Sequence, residues 1–158
     1  MKITGEMEFY ESEVPQYEAV QEYLPEIESA YYMGAGFDTT PGKIMETEIF
    51  HVDHHAPAVE FLQDKNLDAR VADVTSYNPK EDFELIILSH LPTIEEPLIE
   101  ENLTENGHLI CRTDSQARKI DLDTGLDLQA VYIEDSGLVE KEFFNEEIEA
   151  ELYLFQQD

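Results

Sequence analysis

The sequence predicts an α/β fold: a three-layer sandwich built on a mostly parallel, doubly wound sheet and closed by a C-terminal antiparallel edge strand pair. Three observations carry this. Short apolar runs alternate with helix-period segments from residue 13 to residue 112, the pattern of βαβ units whose parallel strands are joined by right-handed crossovers. One run, Phe83-Glu84-Leu85-Ile86-Ile87-Leu88, is almost continuously apolar, as a parallel strand covered on both faces requires. Past residue 112 the character changes: residues 129–134 and 150–156 are β-rich, with too little helical periodicity between them for another crossover.

Val14, Tyr17, Val20, Leu24 and Ile27 recur at a 3–4 spacing, which predicts an amphipathic helix over 13–28. Pro15 is tolerated in its first turn and Pro25 bends or ends it. Ser29-Ala30-Tyr31-Tyr32-Met33 runs into Gly34 as a buried strand stopping at a tight loop. Glu48 to Val52 reads as a second strand, Ala56 to Lys65 as a helix and Arg70-Val71-Ala72 as a weak third strand. After the apolar fourth strand, Ile94 to Leu103 reads as a helix stopped by Asn106-Gly107, followed by a fifth strand at His108-Leu109-Ile110-Cys111. The length of 158 residues suits one domain. It divides into an N-terminal helical region (1–28), a sheet core (29–112) and a loop with edge strands (113–158), and no repeat or linker interrupts it.

The chain carries 9 Lys+Arg against 37 Asp+Glu, a formal charge of −28. Direct nucleic-acid binding is not expected, because phosphate contact depends on a basic face that displaces counterions. The acids are spread over otherwise ordinary amphipathic segments, which suggests the surface of a protein from an extreme halophile, where concentrated salt screens mutual repulsion. No apolar run approaches the roughly 18 residues of a membrane span, and the amino terminus lacks a basic-then-apolar signal design. A cytoplasmic location is expected. Cys111 has no partner cysteine, and its apolar neighbours predict a buried strand residue.

In an open α/β sheet, ligands bind beyond the carboxyl ends of the strands, where strand order reverses. The residues in those places are informative. After the first strand comes Gly34-Ala35-Gly36-Phe37-Asp38, in which two glycines permit close backbone approach. Asp53 ends the second strand about 20 residues later, a place suited to accepting hydrogen bonds from ribose hydroxyls. Asp73 follows the third strand and Ser89-His90-Leu91-Pro92 the fourth. Thr39 stands where the dinucleotide fingerprint needs its third glycine, which disfavours a pyrophosphate cradle.

In this order and spacing the chain resembles the class I S-adenosylmethionine-dependent methyltransferases, a Rossmann-like family, over residues 28–112 and through the closing strands. Tyr31-Tyr32-Met33-Gly34-Ala35-Gly36 is similar to that family's first motif, Phe50-His51-Val52-Asp53 to its ribose-binding strand end and Ala72-Asp73-Val74 to its adenine-contacting turn. Asp82 to Ile87 is similar to the fourth strand, Leu103 to Ile110 to the loop and strand after it. The resemblance implies S-adenosylmethionine as cofactor and methyl transfer to a small-molecule acceptor. It places the methionine part at Gly34 and Gly36, the ribose at Asp53 and the adenine amino group at Asp73, within a cofactor-binding set of Gly34, Ala35, Gly36, Asp38, Asp53, His54, Asp73, Val74 and Ser89. His90, at the exit of the fourth strand, is the catalytic candidate, since a near-neutral pKa suits general acid/base work; a structural or cofactor-edge role is its alternative.

The chain departs from the family in having Tyr32 where an acid usually precedes the first glycine, and in leaving only residues 113–128 for a substrate cover. A homodimer would supply the missing cover. Two other readings compete. A methyltransferase-like fold without lid or basic surface could serve as a cofactor-binding or interaction module, with Phe9, Tyr10, Tyr17 and Tyr23 as an aromatic partner surface or, alternatively, as core. Asp53-His54-His55, with His51, also resembles the name-giving motif of metal-dependent DHH phosphoesterases, but the earlier Asp-x-Asp of that family is missing and no metal site is assigned.

If the acidity is a salt adaptation, the melting temperature followed in graded KCl should rise steeply with salt. A melting temperature indifferent to KCl would remove the halophile reading.

Overall fold

The computed structural model describes residues 13–88, 96–112, 126–134, 136–143 and 150–157, with the backbone alone for 96–98. Its elements in order are α1 (Val14–Tyr23), β1 (Ser29–Met33), α2 (Thr40–Ile44), β2 (Glu48–Asp53), α3 (Ala56–Asp64), β3 (Asp68–Val71), β4 (Phe83–Leu88), α4 (Glu96–Glu101), β5 (Leu103–Arg112), β6 (Leu126–Ile133), β7 (Gly137–Glu140) and β8 (Leu152–Gln157). The described strands form one eight-stranded sheet in the order β3-β2-β1-β4-β5-β8-β6-β7. The first five pair in parallel and the last three run antiparallel.

Burial follows the pleat of the strands. Successive side chains point to opposite faces, so Ile86 and Leu88 of β4 join Tyr31, Met33, Val52, Leu109 and Phe155 on one face. Leu85 and Ile87 join Tyr32, Ile49, Ile110 and Leu154 on the other, under Tyr17 and Val20 of α1 and Leu62 of α3. Each fully buried aliphatic side chain contributes about 1.5–3 kcal/mol, so this two-sided layer fixes β4 at the centre. Cys111 is buried in the first of these layers.

Several expected boundaries move for local reasons. The first helix stops at Tyr23, because Leu24 precedes Pro25 and is held extended at ψ 150°. The expected helix from Ile94 to Leu103 stops at Glu101, and Asn106-Gly107 does not end it. These residues instead form an irregularity inside β5, where pairing jumps from Phe83↔Leu103 to Leu85↔His108 and Asn106 turns to φ +63°. Two elements were not expected at all. α2 has only five residues, too short for a periodic signal, and β7 pairs outside β6, so the C-terminal pair is extended by a third strand and β8 lies inside the sheet. Tyr17 is core, whereas Tyr23 is exposed; Phe9 and Tyr10 lie outside the described residues. No helix among the described residues is long and apolar enough to cross a membrane.

Gly107 is the tightest point of the β5 irregularity. A Cβ there would meet Leu103 Cγ at 2.7 Å, Leu103 Cδ1 at 2.8 Å and the Thr104 carbonyl oxygen at 2.9 Å. Gly107→Ala should therefore cost about 1–3 kcal/mol of stability, read as a lowered urea midpoint at unchanged m-value. An unshifted midpoint would mean that the strand relaxes freely.

Candidate functional site

Strand order reverses between β1 and β4, which puts the switch point at their carboxyl ends, beside the loop that leaves β1. That loop is pinned to β2 by three consecutive backbone N–H groups. Gly34 (φ +69°) and Ala35 donate to the Val52 carbonyl at 2.8 and 3.1 Å, and Gly36 (φ +57°) donates to Asp53 Oδ2 at 2.9 Å. Both glycines occupy the left-handed region that side chains disfavour. A Cβ on Gly36 would meet nothing within 4 Å, so its surroundings are open and the backbone conformation alone calls for glycine.

Asp53 is 8% exposed and uses both oxygens. Oδ2 takes the Gly36 N–H, while Oδ1 accepts the His55 N–H at 2.8 Å, at the start of α3. Each oxygen of a carboxylate has two lone pairs, so acceptor capacity for ligand hydroxyls remains. The His54 side chain is 84% exposed with Nδ1 3.7 Å from Asp53 Oδ1. The His55 ring stands edge-on to Phe37, which packs on Phe61 in turn.

The third loop joins the same corner, since the Ala72 N–H donates to the Asp53 carbonyl at 3.0 Å. Asp73 Oδ1 accepts the Thr75 N–H at 3.0 Å and the Thr75 hydroxyl at 2.6 Å, which holds this exposed carboxyl below its ordinary range. Val74 is buried in the adjoining apolar layer. Gly34, Ala35, Gly36, Asp53 and His54 are thus brought together, with Asp73 and Val74 on the adjacent loop.

Asp38 points elsewhere. It is buried, its Oδ2 accepts the Tyr32 hydroxyl at 2.6 Å and its Oδ1 accepts the Thr40 N–H at 2.9 Å. The tyrosine that replaces an acid at the strand end therefore reaches a carboxylate supplied six residues further on. Ser89 and His90 lie outside the described residues.

The histidines do not converge. His51 is fully buried, with Nδ1 3.0 Å from the Asp68 carbonyl oxygen, while His54 faces solvent and His55 leans on Phe37. No group of three or more His, Cys, Asp or Glu among the described residues is placed to hold a metal ion.

A polar cluster at the end of β5 escaped sequence reasoning. Arg112 Nη1 lies 2.6 Å from Glu13 Oε1, and Gln16 donates to Glu151 Oε2 at 2.6 Å, all close to the start of α1. Tyr17 sits within the field of Arg112, Glu13 and Asp38, and burial above all raises its pKa far above normal. The one available signal was a lone arginine ending an apolar strand.

No protein-family model matches this sequence, and no curated protein matches it. Solved structures do match in fold. A TehB-like S-adenosylmethionine-dependent methyltransferase from Corynebacterium glutamicum is 16% identical over 91% of this chain and 88% of its own, with a TM-score of 0.69. The N-methyltransferase NodS from Bradyrhizobium japonicum, in complex with S-adenosylhomocysteine, is 14% identical over 92% and 86%, with a TM-score of 0.64. The glycopeptide N-methyltransferase MtfA, also complexed with S-adenosylhomocysteine, is 9% identical over 98% and 92%, with a TM-score of 0.66. At such identities the likeness is one of fold.

Burial lowers the His51 pKa from its ordinary 6.5. The unfolded chain then binds more protons than the folded one as pH falls through that value, so the stability tied to neutral His51 is present above it and lost below it. His108 is depressed by burial as well. The urea midpoint should accordingly fall as the pH drops below about 6.5, and His51→Gln should flatten part of that fall. Parallel curves for the two proteins would contradict the assignment.

Proposed function

We propose that the protein is a methyltransferase that binds S-adenosylmethionine at the carboxyl ends of β1, β2 and β3 and acts on a small-molecule acceptor. The observation that carries the reading is the Asp53 corner. A nearly buried carboxylate with acceptor capacity to spare adjoins a two-glycine loop that is open beside Gly36. In this reading Asp53 accepts the ribose hydroxyls, Gly34, Ala35 and Gly36 line the methionine part, and Asp73, Val74 and His54 border the adenine. Asp38 is a positioning residue: through Tyr32 and the Thr40 N–H it sets the far end of the loop. Ser89 and His90, just past β4, would complete the site, with His90 taking a proton from the acceptor.

Support comes from the fold, shared with solved methyltransferases of which two are complexed with S-adenosylhomocysteine. The names of those two proteins, both N-methyltransferases, agree with a nucleophilic nitrogen as acceptor. Bound in this corner, the cofactor would supply an electrophilic methyl on a sulfonium, a leaving group that needs no protonation. The protein's task is then to hold acceptor and methyl in line and exclude water, for which positioning can be worth about 7–11 kcal/mol.

Calorimetric titration with S-adenosylhomocysteine in concentrated KCl tests the reading. The wild type should bind, and Asp53→Ala should bind more weakly by about 1.5–3 kcal/mol, the range for hydrogen bonds to a charged group. Equal affinities in the two proteins, with unchanged circular dichroism, would sink the ribose assignment; no binding to the wild type would sink the function.

A further inference from the structure

His51 directly precedes Val52 and Asp53, the two residues of β2 that hold the glycine loop. Its side chain is fully buried and touches three other elements. Its ring centre lies 5.8 Å from that of Tyr32 in β1, and its Nδ1 lies 3.0 Å from the carbonyl oxygen of Asp68 in β3. On the far side, a Cβ on Gly42 of α2 would come within 3.8 Å of Nε2 and 3.1 Å of Leu67 Cδ2. One imidazole is thus wedged between β1, β3 and α2.

The bond to Asp68 fixes its chemistry. A carbonyl oxygen only accepts, so Nδ1 carries the proton and Nε2 is left with a bare lone pair. Nε2 is buried and has no partner among the described residues. The ionisable groups that face the ring are Tyr32 of β1, Asp38 of the loop before α2 and Asp68 of β3, while Gly42 and Leu67 bring none. Burial outweighs the pull of the two carboxyls and keeps the ring neutral.

A second proton would go to Nε2, where the new N–H finds no acceptor in reach. A buried charged donor without a partner is costly enough to displace its surroundings. Each neighbour of this ring leads to the Asp53 corner. Val52 holds Gly34 and Ala35, and Asp53 holds Gly36. The Tyr32 hydroxyl holds Asp38, which fixes the Thr40 N–H at the start of α2. An imidazolium that drew Asp38 toward itself would move the far end of the loop.

We propose that His51 is a positioning residue for the Asp53 corner: the neutral imidazole holds β2, β3 and α2 in the geometry that accepts a ligand, and protonation releases it. Binding is then acid-sensitive through a side chain that never touches the ligand. The proposal rests on the reading of this corner as the cofactor site.

The sign and slope follow from linkage. The ligand selects the neutral form, so affinity is steady above about pH 6.5 and, below the midpoint of the ring, weakens toward tenfold for each further pH unit. By reciprocity, bound ligand lowers that midpoint.

S-adenosylhomocysteine is titrated calorimetrically from about pH 8 to about pH 5, over the range in which circular dichroism is unchanged, into the wild type, His51→Asn and His54→Gln. Asparagine can keep the donor to the Asp68 carbonyl but takes up no proton. The wild type and His54→Gln should lose affinity in acid, and His51→Asn should not. A slope kept by His51→Asn, or lost in His54→Gln, would overturn the proposal. In the ligand-free wild type, the Gly34, Ala35 and Gly36 amide resonances should shift with the same midpoint as the His51 ring. Amides that stay still while the ring titrates, or a ring that does not titrate before the protein unfolds, would overturn it with no variant needed. Failure of the wild type to bind at about pH 8 would undo the proposed function alone, because the amide titration requires no ligand.

Discussion

The Asp53 carboxylate is the fastening on which the candidate site depends. It joins three pieces of chain through backbone donors and its own carbonyl: Gly36 in the loop after β1, His55 at the head of α3, and Ala72 beyond β3. Hydrogen bonds to a charged acceptor are roughly twice as strong as neutral ones, and burial raises the cost of leaving any of these donors unpaired. With two bonds from the neighbouring Gly34 and Ala35 to Val52, the glycine loop becomes a fixed surface instead of a mobile connection. A ligand that docks there meets a backbone already held in place, so little ordering entropy opposes binding.

The same economy of donors runs through a chain with four acids for every base. Carboxylates here are held chiefly by N–H and O–H groups. Glu84 accepts the Glu28 N–H, Asp73 is wrapped by Thr75, and Asp38 is wedged between Tyr32 and Thr40. Among the described residues Arg112 departs from this, with its largely buried Nη1 2.6 Å from Glu13 Oε1. A buried pair of this kind adds little net stability, but removing either partner strands a charge in a dry environment. It therefore ties the start of α1 to the end of β5 in a single arrangement.

The two ends of the parallel strands carry different chemistries. At the carboxyl ends, backbone N–H groups and one carboxylate make a polar, glycine-shaped corner. At the amino ends, an unmatched stretch of β2 opens between aromatic rings and surface acids. The central layer between them is packed with apolar side chains on both faces, at the density usual for protein interiors.

How much of this was legible follows from the range of each signal. β1 and β4 were read to the residue, because an apolar run bounded by turn residues is complete within its own few positions. Asp53 and the glycines were legible by spacing, since parallel units of regular pitch bring successive strand ends to one edge. The helix stop assigned to Asn106-Gly107 was not, because the same residue pair serves equally in a bulge, and only pairing with β4 and β8 decides between them. Tyr32 and Asp38 were seen as a departure and a candidate ligand, yet they form one buried hydrogen bond. By itself the sequence determined the class of fold, the order of its units and the edge at which Asp53 and the glycine loop meet, all consequences of local period and chain order. The tertiary structure alone decided the third antiparallel strand, the Arg112–Glu13 tie, the inward turn of Asp38 and the opening beside β2. Each depends on contacts between segments far apart in the chain, whose energies no local pattern encodes.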